Sequence, residues 1–167
     1  MKRISIIGEK SYIVVASIVS KLSNVEINYI EELNDTFGSY DLTICTKHIK
    51  NKEFYNNYNV LCSHYSLLPA FDSDEPVRDA ILDGVKVTGI TVFFTNPKRI
   101  IAQYPIFINN DIHYDELEMR MKYIEQMFFP LVVEKIVKNE MFESQYLMQS
   151  FKCSNNCGEC HQCSHKS

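Results

Sequence analysis

A cysteine and a histidine stand two residues apart, at Cys62 and His64, directly after an apolar run. If that run is a β-strand, successive side chains alternate between its two faces, so both residues point to the same side. An imidazole beside a thiol can lower the pKa of the thiol and make it a nucleophile. The alternative is that Cys62 is a small buried side chain, because cysteine is among the most often buried residue types. The residues alone leave both interpretations open.

The polar C-terminal tail carries the second chemical signal. Four cysteines follow one another there with the spacing C-x₃-C-x₂-C-x₂-C: Cys153, Cys157, Cys160 and Cys163. Thiolates this close together in a polar segment favour a soft metal centre, and a run of this kind is typical of a [4Fe–4S] cluster. Zinc is the alternative, with His161 and His165 as substitute ligands. A redox-active or disordered tail is the third possibility.

Length and composition limit the class of protein. The 167 residues fit one domain, which we place at residues 1–150, followed by the cysteine-rich tail at 151–167. The formal net charge is −4 and no stripe of lysine and arginine is present, which argues against a nucleic-acid interface. No apolar run is long enough to cross a membrane, and no signal peptide is evident. We therefore expect a cytoplasmic protein with reduced thiols.

The apolar pattern alternates between short runs and helical spacing, which predicts an α/β fold with a mostly parallel sheet. Asp111 is the predicted N-cap of a long C-terminal helix, and Pro130 predicts a kink within it. The predicted strands are Ile4 to Ile7, Val25 to Ile30, Asp41 to Cys45, Asn59 to Cys62, Val85 to Phe94 and Arg99 to Ile108, and the predicted helices are 10–22, 74–83 and the one after Asp111. The last two strands are expected to form a hairpin-like pair.

Residues 61–137, about half of the chain, resemble the folate-dependent formyltransferase family. The resemblance rests on the block Ser66-Leu67-Leu68-Pro69 after His64, on the pattern G-x-K-x-T-G-x-T-V over residues 84–92, and on Gln103, with Arg120, Glu125 and Pro130 in the closing helix. It implies a Rossmann-like formyltransferase fold, here with a shortened N-terminal half. It also implies a folate one-carbon donor, for which Ser66, Leu67, Leu68 and Pro69 are the expected contacts.

The resemblance further implies a site made of an asparagine, a histidine two residues later and an aspartate on a loop after the T-V strand. The histidine moves a proton, the asparagine stabilises the oxyanion and the aspartate orients the histidine, as acyl transfer requires. Only His64 matches this pattern. Cys62 stands in the asparagine position, and the short segment 95–99 contains no acid. Losing one oxyanion donor typically costs about 10²–10³ in rate.

Three hypotheses of function follow. The first is a divergent formyltransferase that uses His64, with Cys62 as a second catalytic candidate, on a folate donor. The second is a family member without catalysis that binds a folate-like or nucleotide-like small molecule, with the metal tail as a sensor or docking element. The third is an iron–sulfur or redox protein that works with a redox partner.

Overall fold

The structure is a computed structural model that describes residues 1–30, 40–47 and 56–140. The four tail cysteines, and the predicted boundary between residues 150 and 151, lie outside these ranges. Six strands of the described chain form one sheet in the order β2-β1-β3-β4-β5-β6. The strands are β1 (Lys2–Ile7), β2 (Val25–Ile30), β3 (Leu42–Cys45), β4 (Leu61–His64), β5 (Val87–Phe94) and β6 (Arg99–Phe107).

The pairings confirm the mostly parallel sheet that the sequence predicts. Strands β1 to β4 pair in parallel, whereas β5 runs antiparallel to β4 and to β6. The last two strands therefore form the expected hairpin, closed by the turn at residues 95–98. Because β5 joins β4 along its length, with Thr91 opposite His64, the hairpin lies directly beside the candidate site.

Three helices are described: α1 (Ile13–Lys21), α2 (Pro76–Leu82) and α3 (Tyr114–Val137). Helices α1 and α3 pack against each other over one face of the sheet, and their buried aliphatic side chains form the main core with β1, β3 and β4. Helix α2 starts with proline and is followed by Gly84 at φ 64, the left-handed C-terminal stop that the sequence indicates.

The predicted N-cap of α3 is wrong. The cap residue is His113, which has extended φ and ψ and whose carbonyl accepts the first helical bond, from Leu117. Asp111 lies in the preceding turn, where the amide of Ile112 donates to the carbonyl of Asn109. Because of this turn, α3 begins after His113 and not after Asp111. Pro130 lies inside α3, which is assigned as a single helix from Tyr114 to Val137.

The segment that follows His64 is fixed to the β5–β6 hairpin by side-chain hydrogen bonds. The Thr91 hydroxyl donates to the carbonyl of Ser66 at 2.6 Å and accepts from the amide of Leu68 at 3.0 Å. Gln103 donates to the carbonyl of Leu68 at 2.9 Å. Gly89 is required beside this segment, because a Cβ there would overlap the side chain of Leu67 and the backbone of β6. The geometry of the segment is therefore held by the sheet itself.

No helix in the described ranges is long and apolar enough to cross a membrane.

Candidate functional site

An open cavity of about 1000 Å³ lies where β3 and β4 end. Open α/β sheets bind ligands at the carboxyl ends of their parallel strands, so the position is the expected one for a site. Cys62 and His64 both line this cavity, together with Lys47 from the end of β3 and Phe93 from β5. The structure thus brings the two sequence-predicted catalytic candidates into one cavity.

His64 is half-buried, and its Nε2 lies 3.0 Å from the carbonyl oxygen of Phe71. A carbonyl oxygen only accepts hydrogen bonds, so Nε2 carries the hydrogen in this contact. In the neutral imidazole, Nδ1 is then the free acceptor. Phe71 adopts φ 51, in the left-handed region, and this turn directs its carbonyl back to the imidazole. The backbone therefore fixes the tautomer of His64 that can accept a proton.

Cys62 does not have the environment of an activated thiol. It is 5% exposed, and its hydrogen bond with the Cys45 thiol and its burial raise its pKa well above the ordinary value. The direction is opposite to the lowering that an activated thiol would need, and Cys45 in the same buried cluster is the first cause. A raised pKa keeps the thiol protonated near neutral pH and favours packing. Its role as a nucleophile stays a prediction.

The four residues of the predicted folate contact do not line the cavity in the described part of the chain. None of Ser66, Leu67, Leu68 and Pro69 is among the described residues that line the cavity. Ser66 and Leu68 are buried, and the Ser66 hydroxyl donates to the carbonyl of Ala70 at 2.6 Å. Their contact with a folate stays a prediction. The structure gives them a positioning role, because they carry the chain from His64 to Phe71.

Glu125 is the residue that sequence reasoning missed. It projects from α3, is only 5% exposed, and lines the cavity. Its carboxylate accepts hydrogen bonds from the hydroxyls of Tyr12 at 3.1 Å, of Tyr65 at 2.7 Å and of Ser63. Ser63 and Tyr65 flank His64 in the chain, so a buried carboxylate holds both neighbours of the histidine.

The sequence did contain a signal for this carboxylate. Glu125 follows Leu117 and Met121 at four-residue spacing, and both of these are fully buried. A charged residue in register with the buried face of an amphipathic helix indicates a carboxylate that must find donors inside the fold. The family resemblance places Glu125 only in the closing helix and gives no indication of its position beside His64.

The hairpin turn brings a cation to the cavity where the family pattern has an acid. Lys98 lies 2.5 Å from the carboxylate of Asp72, and its ammonium stands 5.7 Å from the centre of the Phe93 ring. All three residues line the cavity. The acidic residues that line the cavity in the described part of the chain lie outside the hairpin turn. Of these, Glu125 is buried. Within the described ranges, no group of three or more metal-binding side chains is present.

The chain is an α/β domain with an open sheet and a histidine-bearing cavity at its strand ends. The family model described as formyl transferase matches residues 31–133. The chain therefore belongs to the formyl transferase family. Its fold agrees with that of a phosphoribosylglycinamide formyltransferase from Brucella melitensis, with a TM-score of 0.64 at 16% identity over 86% of this chain and 99% of the other.

Relatives are similar over part of the chain only. A phosphoribosylglycinamide formyltransferase from Bacillus subtilis is 38% identical over 78 residues, which are 44% of this chain and 40% of that protein. A methionyl-tRNA formyltransferase from Syntrophomonas wolfei is 31% identical over 90 residues, which are 52% of this chain and 29% of that protein. The chain thus matches less than half of the length of either relative.

The tyrosines on Glu125 predict a loss of stability in alkali. Burial and the Glu125 charge raise the pKa of Tyr12 to about 12, and the same two causes raise that of Tyr65. An unfolded tyrosine ionises near pH 10. The folded state favours the protonated phenols. Their contribution to the free energy of unfolding is therefore complete below pH 10, and it is lost as the pH rises towards the pKa values of the folded protein. We expect the free energy of unfolding, measured in urea, to fall from pH 9 to pH 11.5.

Replacing Tyr65→Phe should make this fall shallower, because one of the two shifted phenols is removed. The matched control is Tyr123→Phe on the exposed side of α3, which should keep the wild-type slope. Equal slopes for Tyr65→Phe and the wild type would contradict the assignment.

Proposed function

We propose that the chain binds a formyl-bearing reduced folate in the cavity and transfers the formyl group to a nucleophile, with His64 moving the proton. The observation that carries the proposal is the position of His64. In a chain of the formyl transferase family, the one retained residue of the family's catalytic pattern lines the cavity and is held there by the Phe71 carbonyl.

The tautomer of His64 suits proton transfer. With Nε2 donating to Phe71, the lone pair on Nδ1 is available to take a proton from an attacking amine. The resulting imidazolium can return that proton to the leaving nitrogen of the folate, which completes acyl transfer. The volume of the cavity lies at the upper end of the range for small-molecule sites. The aromatic rings of Phe93 and Tyr65 form part of its wall.

Oxyanion stabilisation is the weak part of the site. Cys62 stands where the family pattern has an amide, and a thiol is a poor hydrogen-bond donor. The Cys62 thiol is also engaged with Cys45 inside a buried cluster. We therefore expect a slow enzyme, below the family's ordinary rate by about 10²–10³ from this loss alone.

The test is a turnover assay with 10-formyltetrahydrofolate as donor. Phosphoribosylglycinamide and methionyl-tRNA, the acceptors named by the relatives, are compared with water alone. His64→Ala should lower turnover by about 10²–10⁴, the usual contribution of a general acid–base, while binding of the stable probe 5-formyltetrahydrofolate changes little. His113→Ala is the matched control, because His113 is exposed at the start of α3 and its side chain makes no cap bond.

Three results would count against the proposal. Turnover by His64→Ala equal to wild type removes His64 from the mechanism. Tight binding of 5-formyltetrahydrofolate without turnover would favour the hypothesis of a non-catalytic ligand-binding protein. No binding of the folate probe at saturating concentration would exclude both folate-based functions.

For the C-terminal tail we propose a metal centre on Cys153, Cys157, Cys160 and Cys163, with an iron–sulfur cluster first and zinc as the alternative. The support is the spacing of the cysteines alone, since the tail lies outside the described residues. Anaerobically purified protein with a cluster should be brown, with broad absorbance near ~400 nm and stoichiometric iron. Colourless protein with one zinc would establish the alternative, and a redox partner protein is expected only for the cluster.

A further inference from the structure

We propose that Cys45 and Cys62 form a redox-modifiable dithiol on the cavity wall, which closes to a disulfide under oxidation and reopens under reduction. The proposal stands on the register of the sheet. Cys45 of β3 and Cys62 of β4 are direct partners in a parallel pairing. Partners on neighbouring strands lie about 4.8 Å apart with their side chains on the same face. That separation is inside the 4.4–6.8 Å range between Cα atoms that a disulfide needs.

The Cys45 side chain is also the first cause of the raised pKa of Cys62, which agrees with two neighbouring thiols. The Cys45 thiol donates to the carbonyl of Lys47 at 3.2 Å. Both residues are otherwise surrounded by apolar side chains, with Ile7 and Val60 in the same buried cluster. The pairing of β3 with β4 therefore already places the two Cα atoms as register partners.

Both cysteines belong to the wall of the open cavity. Cys45 and Cys62 are 2% and 5% exposed, yet both line the open cavity that also holds His64. A low-molecular-weight disulfide can enter such a space. One cysteine thiolate attacks it and releases the first small thiol, and the second cysteine displaces the other. The two protein thiols lose two electrons and two protons in total, and the small disulfide gains them as two thiols.

The raised pKa of Cys62 affects the rate and the stability of the product. A protonated thiol reacts slowly, so formation of the disulfide should accelerate about tenfold per pH unit while the thiolate is the minor form. In strongly oxidising dithiols, the reduced form is stabilised as a thiolate, and this favours reduction of the disulfide. Cys62 has no such stabilisation, so its disulfide with Cys45 should resist reduction.

Peptide mapping tests the proposal on the full chain. Trypsin places Cys45 in residues 22–47, Cys62 in residues 53–78 and the tail cysteines in residues 153–166. After incubation with oxidised glutathione and alkylation, mass spectrometry should find 22–47 joined to 53–78. The joined pair should form faster at pH 8.5 than at pH 7.5 and should disappear with dithiothreitol. A variant with the four tail cysteines changed to serine should give the same pair, and Cys45→Ser should abolish it.

Two outcomes would overturn the proposal. One is that the tail peptide becomes oxidised while 22–47 and 53–78 stay unjoined, since the reacting tail proves that the oxidant was active. The other is that Cys45 and Cys62 each carry glutathione, or join the tail peptide, in place of each other.

Discussion

The candidate site depends on the buried carboxylate of Glu125. Burying a carboxylate without partners costs several kcal/mol, so its hydroxyl donors offset a large part of the cost of placing Glu125 inside the fold. Those donors come from the turn before α1 and from both residues that flank His64. One side chain of α3 thus fixes the helix layer against the end of β4, and the position of the histidine follows from it. The Phe71 carbonyl holds the other side of His64.

Around this centre the chain has kept the family's architecture and changed its chemistry. The segment after His64 is still fixed to β5 through Thr91 and to β6 through Gln103. The asparagine position holds Cys62, which faces Cys45, and the short hairpin turn brings Lys98 to Asp72 at the cavity rim. In the proposed reaction the retained histidine would move the proton. The replaced amide and the missing acid are the reasons why we expect slow turnover.

Most of the fold could be predicted from the sequence, because apolar periodicity reports burial directly. The order of the strands and the hairpin follow from local pattern, whereas β4 (Leu61–His64) lies two residues later than the predicted strand from Asn59 to Cys62, so that it includes His64. The start of α3 could not be predicted, since Asp111 satisfies the local rule for a cap and only the turn at residues 109–112 excludes it. The Glu125 contacts and the pairing of Cys45 with Cys62 join residues far apart in the chain. Such contacts are set by helix packing and strand order, which periodicity does not report.

The most direct test is a double-mutant cycle between Glu125→Gln and Tyr65→Phe, measured as free energies of unfolding in urea at pH 7. If the carboxylate holds Tyr65 in the folded protein, the two changes should be non-additive by about 1.5 kcal/mol, the strength of a charged hydrogen bond. Pairing Tyr65→Phe with Glu134→Gln, whose carboxylate contacts lysines on the surface, should be additive. Additivity within about 0.5 kcal/mol for Glu125 as well would contradict the account.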